Sequence, residues 1–312
     1  MTAGPVDVPS GAPARVPTPG PGDPRLARLS LNQRTTAGWS LRQAIDGAVA
    51  AGLPAIGVWR EPLAEAGLTR AAGWLATAGL RVSSLCRGGF FTAADPAGRC
   101  AAYDANRVAI DEAATLAAAT LVLVPGGLPA GDRDLAGARS RVADAVADLV
   151  PYALERGVRL AIEPMHPVYA ADRGVVSTLA QALDLAEPFP PEVVGVVVDT
   201  FHLWWEPGLA GQLARAGAAG RIASYQVSDW ITPLPPDPLL SRGMPGDGHI
   251  DLAGFTAAVA SAGYRGDVEV EIFNAEIWAA PPEQVVATLA RRHVELIAGR
   301  LDPDRGLTPG RS

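Results

Sequence analysis

Short apolar runs alternate with longer amphipathic stretches along the chain from residue 26 onward. The runs have the length and bounding turns of buried strands, and the stretches between them carry apolar residues at helical spacing. The predicted strands are 27–32, 55–59, 81–85, 120–124, 159–163, 193–199, 222–228 and 267–273. The predicted helices are 40–51, 62–78, 103–118, 134–156, 175–186, 209–216, 252–262 and 282–298. This regular alternation predicts βα units and a parallel sheet.

Eight βα units in one chain predict a closed barrel rather than an open doubly wound sheet. The first strand is followed by no glycine-rich dinucleotide fingerprint, which agrees with this choice. Four of the helices end at a glycine that precedes the next strand, where a left-handed C-cap is expected: Gly52, Gly79, Gly157 and Gly263. The predicted fold class is α/β, a (β/α)8 TIM barrel forming a single domain at 26–300. A disordered N-terminal tail at 1–25 and a short C-terminal tail at 301–312 flank it.

Composition narrows the class of protein. Hydrophobic residues make up 48% of the 312 residues and charged residues 19%, which is ample material for a large core. The net charge of −7, with no basic and aromatic groove, argues against nucleic-acid binding. Two cysteines cannot build a disulfide framework, so a reducing cytoplasm is expected. The Pro/Gly/Ala-rich start has no apolar signal region, and no apolar run approaches the ~20 residues that span a bilayer, so we expect no membrane insertion.

Polar residues at the carboxyl ends of the last four strands are the main chemical signal. Side chains of a barrel strand alternate between the lumen and the helix layer, so the apolar outward positions identify the inward ones. This alternation turns four oxygen-bearing side chains toward one mouth of the barrel: Glu163, Asp199, Gln226 and Glu271.

Three carboxylates at one mouth would repel one another unless a cation lay between them. Oxygen ligands, with no cysteine in reach, predict one hard divalent ion, Mn²⁺ or Mg²⁺, while the nearby His166 and His202 leave Zn²⁺ or Co²⁺ open. Any one of these acids taken alone is as readily a helix N-cap or a loop salt bridge. Four at matching strand positions favour a metal site.

Five motifs resemble one known group, the xylose-isomerase-like TIM-barrel superfamily of sugar phosphate isomerases and epimerases. They are Ile-Glu-Pro-Met-His-Pro at 162–167, Val-Asp-Thr-Phe-His at 198–202, Gln-Val-Ser-Asp at 226–229, Gly-Asp-Gly-His-Ile-Asp at 246–251 and Val-Glu-Ile-Phe-Asn at 270–274. The resemblance covers residues 26–299. It is specific for the fold and the metal site and weak for the substrate.

The resemblance implies that the four converging side chains are metal ligands and that His202 binds substrate. It also implies that Glu163 and Glu271 act as acid and base on opposite faces of a substrate carbon. Two departures separate the chain from the ketose 3-epimerases of this group. Those epimerases usually carry His at the position of Gln226, whereas the dehydroshikimate dehydratases, like this chain, carry Gln there. The epimerases also carry a further substrate-binding Glu at the position of Tyr169.

Several further residues are candidates for a sugar or cyclitol pocket. Each taken alone is as readily a packing or loop residue, although an arginine there would suit an anionic group. The substrate-binding candidates beside His202 are Trp59, Arg87, His166, Arg173 and Arg242, with Phe90 and Phe91 as weaker ones. Arg242 lies in a long loop at 230–249 that is predicted to close over the site.

Glu269 in the last predicted strand and His293 in the last predicted helix are two further ionisable residues. Glu269 shares inward parity with Glu271 one layer deeper, so it either supports the metal site or pairs with an inward arginine. His293 lies in the last predicted helix and is expected at the surface.

The leading hypothesis is a divalent-metal-dependent isomerase or epimerase that moves a proton next to the carbonyl of a small-molecule sugar, sugar phosphate or cyclitol. The alternative is a lyase, a dehydratase of the 3-dehydroshikimate or inosose type, because the same enolate can expel a β-hydroxyl. A non-catalytic binding barrel is a third possibility, and a zinc endonuclease of this barrel type is disfavoured by the presence of only four histidines. A homodimer is left open.

Overall fold

A computed structural model describes residues 17–301, and the terminal segments 1–16 and 302–312 lie outside it. Most of the two predicted tails therefore falls outside the described residues. The remainder of the N-terminal segment is packed against the body. Pro19 is buried, and Asp23 caps a short 3₁₀ helix at Pro24–Leu26.

Eight parallel strands close into a barrel, which confirms the predicted fold class. Hydrogen bonding runs around the barrel in the order β1, β10, β7, β6, β5, β4, β3, β2, and two further strands form a separate antiparallel ribbon. The strands are β1 Leu29–Asn32, β2 Ala55–Trp59, β3 Arg81–Gly89, β4 Leu121–Val124, β5 Leu160–Ile162, β6 Val194–Asp199, β7 Ile222–Val227, β8 Asp229–Trp230, β9 Arg242–Gly243 and β10 Val268–Val270.

Helices surround the barrel and bury its outer face. They are α1 Leu41–Ala50, α2 Arg60–Ala66, α3 Leu68–Ala78, α4 Pro96–Thr115, α5 Leu135–Arg156, α6 Leu179–Ala186, α7 Thr200–Leu203, α8 Leu209–Ala218, α9 Leu252–Ser261, α10 Ala275–Ala279 and α11 Pro282–Leu296. All four predicted C-cap glycines have positive φ, between 65° and 87°. In the part of the chain that the structure describes, no helix is both long and apolar enough to cross a membrane.

Three predicted helices differ from the observed ones for local reasons. The second is interrupted at Gly67, whose φ of 83° separates α2 from α3. The third begins earlier, at Pro96, because the Asp95 side chain accepts a hydrogen bond from Gly98 N and proline suits the first turn. The fifth begins later, at Leu179, after the N-cap Thr178.

Apolar side chains separate into a large outer core and a small cluster in the lumen. Leu160, Ile162, Val196 and Val198 belong to the outer core between sheet and helices. The buried members of the lumen cluster are Trp59, Cys86, Val122, Ala161 and Val197, and the partly buried Ala223 and Phe273 pack against them. Because the lumen cluster is small, inward-facing polar residues of the barrel strands occupy the space above and beside it.

The long loop after β7 is folded rather than irregular. β8 and β9 pair within it, with Trp230 opposite Arg242. The Asp229 carboxylate accepts hydrogen bonds from the backbone N–H groups of Trp230, Gly246 and Ile250, at 2.9, 2.9 and 3.0 Å. One buried carboxylate thus fixes both sides of the ribbon, and the ribbon delivers Arg242 into the mouth of the barrel.

His293 is fully buried, so the expectation that it lies at the surface was wrong. It lies on the inner face of α11, near the Pro24–Leu26 turn, and neither ring nitrogen has a hydrogen-bond partner among the described residues. Burial lowers the pKa of the ring to about 4. Arg28 is a nearby positive charge, which also disfavours protonation.

We expect His293 to make the protein sensitive to mild acid. The unfolded chain takes up a proton near pH 6.5 and the folded ring resists it, so stability present at neutral pH is lost as pH falls toward 4. Between pH 7 and pH 5 this loss is about 2 kcal/mol. Denaturant unfolding at pH 7, 6 and 5 should show this loss in the wild type but not in His293→Leu, so the difference in stability between the two proteins should change with pH. A constant difference across these pH values would contradict the assignment.

Candidate functional site

Four adjacent strands bring the predicted ligands together. Glu163 follows β5, Asp199 ends β6, Gln226 lies in β7 and Glu271 follows β10, and these strands are consecutive in the barrel. Asp199 and Gln226 are direct register partners. All four side chains are buried, with exposed fractions of 5%, 0%, 0% and 4% in that order. The strand order places all four side chains at the mouth of the barrel, with Glu163 and Glu271 on the outer two of these four strands.

His202 and Arg242 complete this cluster. The Nε2 atom of His202 lies 3.7 Å from Glu163 Oε1 and 3.8 Å from Asp199 Oδ2. Ligand atoms of these three residues all lie within 4.8 Å of one another, close enough to share one ion. His202 Nδ1 accepts a hydrogen bond from the backbone N–H of His166 at 3.2 Å, which fixes the ring with Nε2 toward the carboxylates.

Arg242 lies inside the acidic cluster and is 1% exposed. Its Nη1 is 2.8 Å from Asp199 Oδ2, and its Nη2 is 3.2 Å from Glu271 Oε2 and 3.1 Å from His202 Nε2. The guanidinium also lies over the Phe201 ring, 4.5 Å from its centroid. The sequence predicted a loop residue that reaches the site on closure, and in the structure Arg242 lies inside the site.

Burial and mutual repulsion shift the proton affinities of the acids upward. The pKa of Glu163 is raised well above its ordinary value by burial and then by the charges of Glu271 and Asp199. Burial raises the pKa of Glu271 to about 8, although Arg242 opposes the rise, and burial also raises the pKa of Asp199. Burial and Arg242 hold the pKa of His202 well below its ordinary value, so the ring is neutral.

A divalent cation fits this donor set. When all three carboxylates of the cluster are ionised, Arg242 supplies only one positive charge against three negative ones, so the ionised cluster needs a further cation. One buried oxygen, Gln226 Oε1, also lacks a hydrogen-bond partner among the described residues, whereas Asp199 Oδ2 faces Arg242 Nη1 at 2.8 Å. Buried oxygen atoms without donors are costly, and a hard cation satisfies them.

One cysteine lies closer to this cluster than the sequence indicated. The Cys86 Sγ atom and carboxylate oxygens of Glu269 and Glu271 lie within 4.8 Å of one another, so the expectation of no cysteine in reach was wrong. The register of β3 against β4 shifts between Leu85 and Gly88, which the short predicted strand did not anticipate. Burial and the neighbouring carboxylates raise the pKa of Cys86 well above its ordinary value. It is therefore a thiol, a poor ligand compared with a thiolate.

A cavity of about 280 Å³ opens above the cluster. Its wall includes Glu163 and Glu271, whereas Asp199 and Gln226 lie beneath it. Five of the six predicted substrate-binding residues line the cavity: Trp59, Arg87, Arg173, His202 and Arg242. Phe90, exposed at the rim with φ 60°, lies against Arg87.

His166 is not among the residues that line the cavity. Its Nδ1 accepts a hydrogen bond from Val168 N at 3.2 Å and so caps the 3₁₀ helix Pro167–Tyr169. Its ring packs against Trp205 and Trp230, with centroids 5.4 and 4.8 Å away. The loop-stabilising alternative describes this position, and the residue contributes to the site through its backbone bond to His202.

Two polar residues of the site, Asn32 and Arg34, were not predicted from the sequence. Asn32, at the end of β1, donates to Glu271 Oε1 at 2.9 Å and accepts from Trp59 Nε1 at 2.9 Å. Its signal was the same strand parity, because Leu29 and Leu31 face outward. Arg34 lies over the Trp59 ring and lines the cavity, and nothing in the local pattern marked it.

A family model described as the xylose isomerase-like TIM barrel matches residues 45–294. The chain belongs to this family. Its barrel also resembles the crystal structure of protein SMc04130 from Sinorhizobium meliloti 1021, with 45% identity and a TM-score of 0.85. That match covers 87% of this chain and 99% of the other.

The chain is also similar in sequence to two curated enzymes. A 3-dehydroshikimate dehydratase of Pseudomonas aeruginosa is 33% identical over 166 residues, which is 52% of this chain and 24% of that protein. An inosose isomerase of Bacillus subtilis is 28% identical over 159 residues, which is 50% of this chain and 54% of that protein. The matches thus span about a quarter and about half of the length of these relatives.

Proposed function

We propose that the protein is a divalent-metal-dependent isomerase or epimerase that transfers a proton next to the carbonyl of a sugar or cyclitol. The observation that carries this proposal is the pair Glu163 and Glu271, both buried in the wall of one cavity with raised pKa values. Raising the pKa of a carboxyl group brings it closer to the range in which it exchanges protons efficiently at neutral pH. Relatives named as an isomerase and a dehydratase support the same chemistry.

The two glutamates belong to strands that are not neighbours. β5 and β10 are separated by β6 and β7, so Glu163 and Glu271 approach the cavity from different sides. In the proposed reaction one removes a proton from carbon next to the carbonyl and the other returns a proton, to the opposite face or to the neighbouring carbon. His202 and Arg242 bind substrate oxygen atoms, and Trp59 covers one wall.

Glu163, Asp199, Gln226 and Glu271 would hold the cation. When bound, a divalent ion supplies electrophilic stabilisation of negative charge that develops on a substrate oxygen. The ligand atoms are oxygens, which favours Mn²⁺ or Mg²⁺, and the nearby imidazole of His202 keeps Zn²⁺ and Co²⁺ in the test.

Solvent-deuterium exchange tests the proposal. The protein is incubated in heavy water with Mn²⁺ and a panel of keto-sugars, sugar phosphates and inososes, and each recovered compound is analysed by mass spectrometry and NMR. Incorporation of deuterium next to a carbonyl, with no change of composition, is the expected result. If the protein bound Mn²⁺ but no compound of the panel incorporated deuterium, the non-catalytic binding barrel would be favoured instead.

A second candidate is a dehydratase that acts on an anionic cyclic ketone, and the arginines of the cavity favour it. Arg34, Arg87 and Arg173 line the wall together with Arg242. Arg34 and Arg173 have acidic neighbours, Glu61 and Asp172. Arg87 is partly buried and has no carboxylate within 4.0 Å among the described residues. A partly desolvated guanidinium without a carboxylate partner suits a substrate carboxylate or phosphate.

For an anionic substrate we expect Arg87→Gln to raise KM roughly 10–100-fold with a smaller effect on kcat, because a charge-assisted bond is lost. The KM for a neutral keto-sugar should not change. Steady-state kinetics on an anionic and a neutral substrate measure the difference, and loss of one water from the product identifies the dehydratase. Equal KM changes for both substrates would contradict an anion site at Arg87.

A further inference from the structure

Glu269 lies two residues before Glu271, is the register partner of Gln226, and has only neutral hydrogen-bond partners among the described residues. It is 1% exposed, and no arginine or histidine lies within ion-pair distance of it among the described residues. The open question from the sequence, support for the site or an inward ion pair, is therefore answered in favour of hydrogen bonding. Its partners, all buried donors, are Asn32, Ser83, Ser84 and Gln226.

The two carboxylate oxygens of Glu269 share one partner and differ in the others. Oε1 accepts from Asn32 Nδ2 at 2.6 Å and from Gln226 Nε2 at 3.2 Å. Oε2 accepts from Ser83 Oγ at 2.5 Å, and the Ser84 hydroxyl is shared, 2.8 Å from Oε2 and 2.9 Å from Oε1. Gly57 on β2 leaves room for the carboxylate, because a Cβ there would lie 2.5 Å from Oε1. Residues from four strands thus accommodate this one acid.

The bond to Gln226 decides which end of its amide faces the ligand cluster. A side-chain amide has a donor end and an acceptor end, and the two have the same shape. Since Nε2 donates to Glu269, the Oε1 atom is left on the other side, where it has no hydrogen-bond partner among the described residues. An amide turned the other way would present an NH₂ group to a cation and would repel it.

Asn32 extends the same control to Glu271. Its Nδ2 donates both to Glu269 Oε1 and to Glu271 Oε1, at 2.6 and 2.9 Å. Its Oδ1 accepts from Trp59 Nε1 and from Arg34 N, which fixes the orientation of this amide. Glu271 Oε1 is thereby held, and Oε2 is left facing Arg242 at the cavity.

We infer that Glu269 is a positioning residue that turns the oxygen of Gln226 toward the divalent cation and, through Asn32, holds Glu271 in place. The inference rests on the proposed metal site and goes beyond it, because it makes metal affinity depend on an acid that is not a ligand. Loss of partners that orient metal ligands typically lowers metal affinity by about 10–100-fold.

Three variants separate orientation from charge. Glu269→Met removes both acceptors, so Gln226 is free to turn and Mn²⁺ affinity should fall about 10–100-fold. Glu269→Gln keeps an oxygen for Asn32 and Gln226 and an NH₂ group for the two serine hydroxyls, so its affinity should stay within a few-fold of wild type. The double variant Glu269→Met/Gln226→Glu presents an oxygen whichever way residue 226 turns, so it should regain affinity relative to Glu269→Met.

The measurement is MnCl₂ titration followed by calorimetry, with free Mn²⁺ counted by EPR and folding checked by thermal unfolding. Ser30→Ala is the matched control, because Ser30 is fully buried in the same layer and bonds only to Ser83 in the network. Its melting temperature should fall without a change in Mn²⁺ affinity.

Wild-type affinity in Glu269→Met, or no recovery in the double variant, would overturn this inference alone. If Glu269→Met does not fold, the comparison of Glu269→Gln with wild type decides. A loss of 10-fold or more in Glu269→Gln would mean that charge, not orientation, is the contribution. Absence of Mn²⁺ binding by the wild type would overturn the proposed metal site and this inference with it.

Discussion

Glu163→Gln and Glu271→Gln should each reduce turnover by about 10²–10⁴-fold or more, because each variant loses a group that accepts or donates a proton at the substrate carbon. The fold should remain intact. Both acids are buried and have raised pKa values, so a neutral amide of the same shape relieves repulsion in the cluster. The rates are measured on the substrate that the deuterium screen identifies, and folding is followed by circular dichroism.

Glu155→Gln is the matched control for this pair. Glu155 lies exposed on α5, so the same chemical change there should leave turnover unaltered. Full activity in either cluster variant would remove the proton-transfer roles assigned to these glutamates.

Arg242→Met should destabilise the metal-free protein by about 3–5 kcal/mol, since it leaves Asp199 and Glu271 without their buried counter-charge. The deficit should grow as pH rises. With the guanidinium gone, the folded carboxyls bind protons at higher pH than the unfolded chain does, and the stability they contribute when protonated is lost as pH rises through their folded pKa values. Mn²⁺ should restore much of the loss, because the cation supplies positive charge to the same oxygens.

Urea unfolding at pH 6 and pH 8, with EDTA or with MnCl₂, measures these effects. Arg221→Met is the control, because Arg221 is buried but, within residues 17–301, donates only to backbone carbonyls, including Val194 O at 2.9 Å and Phe189 O at 2.7 Å. It should lose stability without the pH and Mn²⁺ dependence. If Arg242→Met and Arg221→Met respond alike to Mn²⁺, the cation does not bind beside Arg242.

Strand parity was enough to predict which side chains meet at the mouth of the barrel. The strands β5, β6, β7 and β10 each have two or more apolar residues facing the helices. These residues fix the direction of the polar residue between or after them. The same rule, applied to β1, would have identified Asn32. It does not reach the loops, so the burial of Arg242 could not be predicted from its position in a Pro-rich segment. That burial depends on the three backbone bonds of Asp229, which join residues far apart in sequence.

Two errors have different origins. His293 follows Val286, Leu289 and Ala290 at helical spacing, so the pattern itself placed it on the inner face of α11 and chemical type misled the interpretation. Cys86 could not be located by counting alone, because the shift between Leu85 and Gly88 changes the register of β3 against β4. Periodicity predicts direction only while the strand stays regular.

The β8–β9 ribbon separates what is constant in this site from what can vary. Its paired ends hold Arg242 against the barrel, and the backbone bond from Ile231 N to Ser241 O closes the base of the segment between them. That segment contributes Leu239 to the cavity wall. Changes in its length or sequence would therefore reshape this wall of the cavity and leave the charged cluster at the barrel mouth unchanged. The same charged cluster could then act on substrates of different shapes.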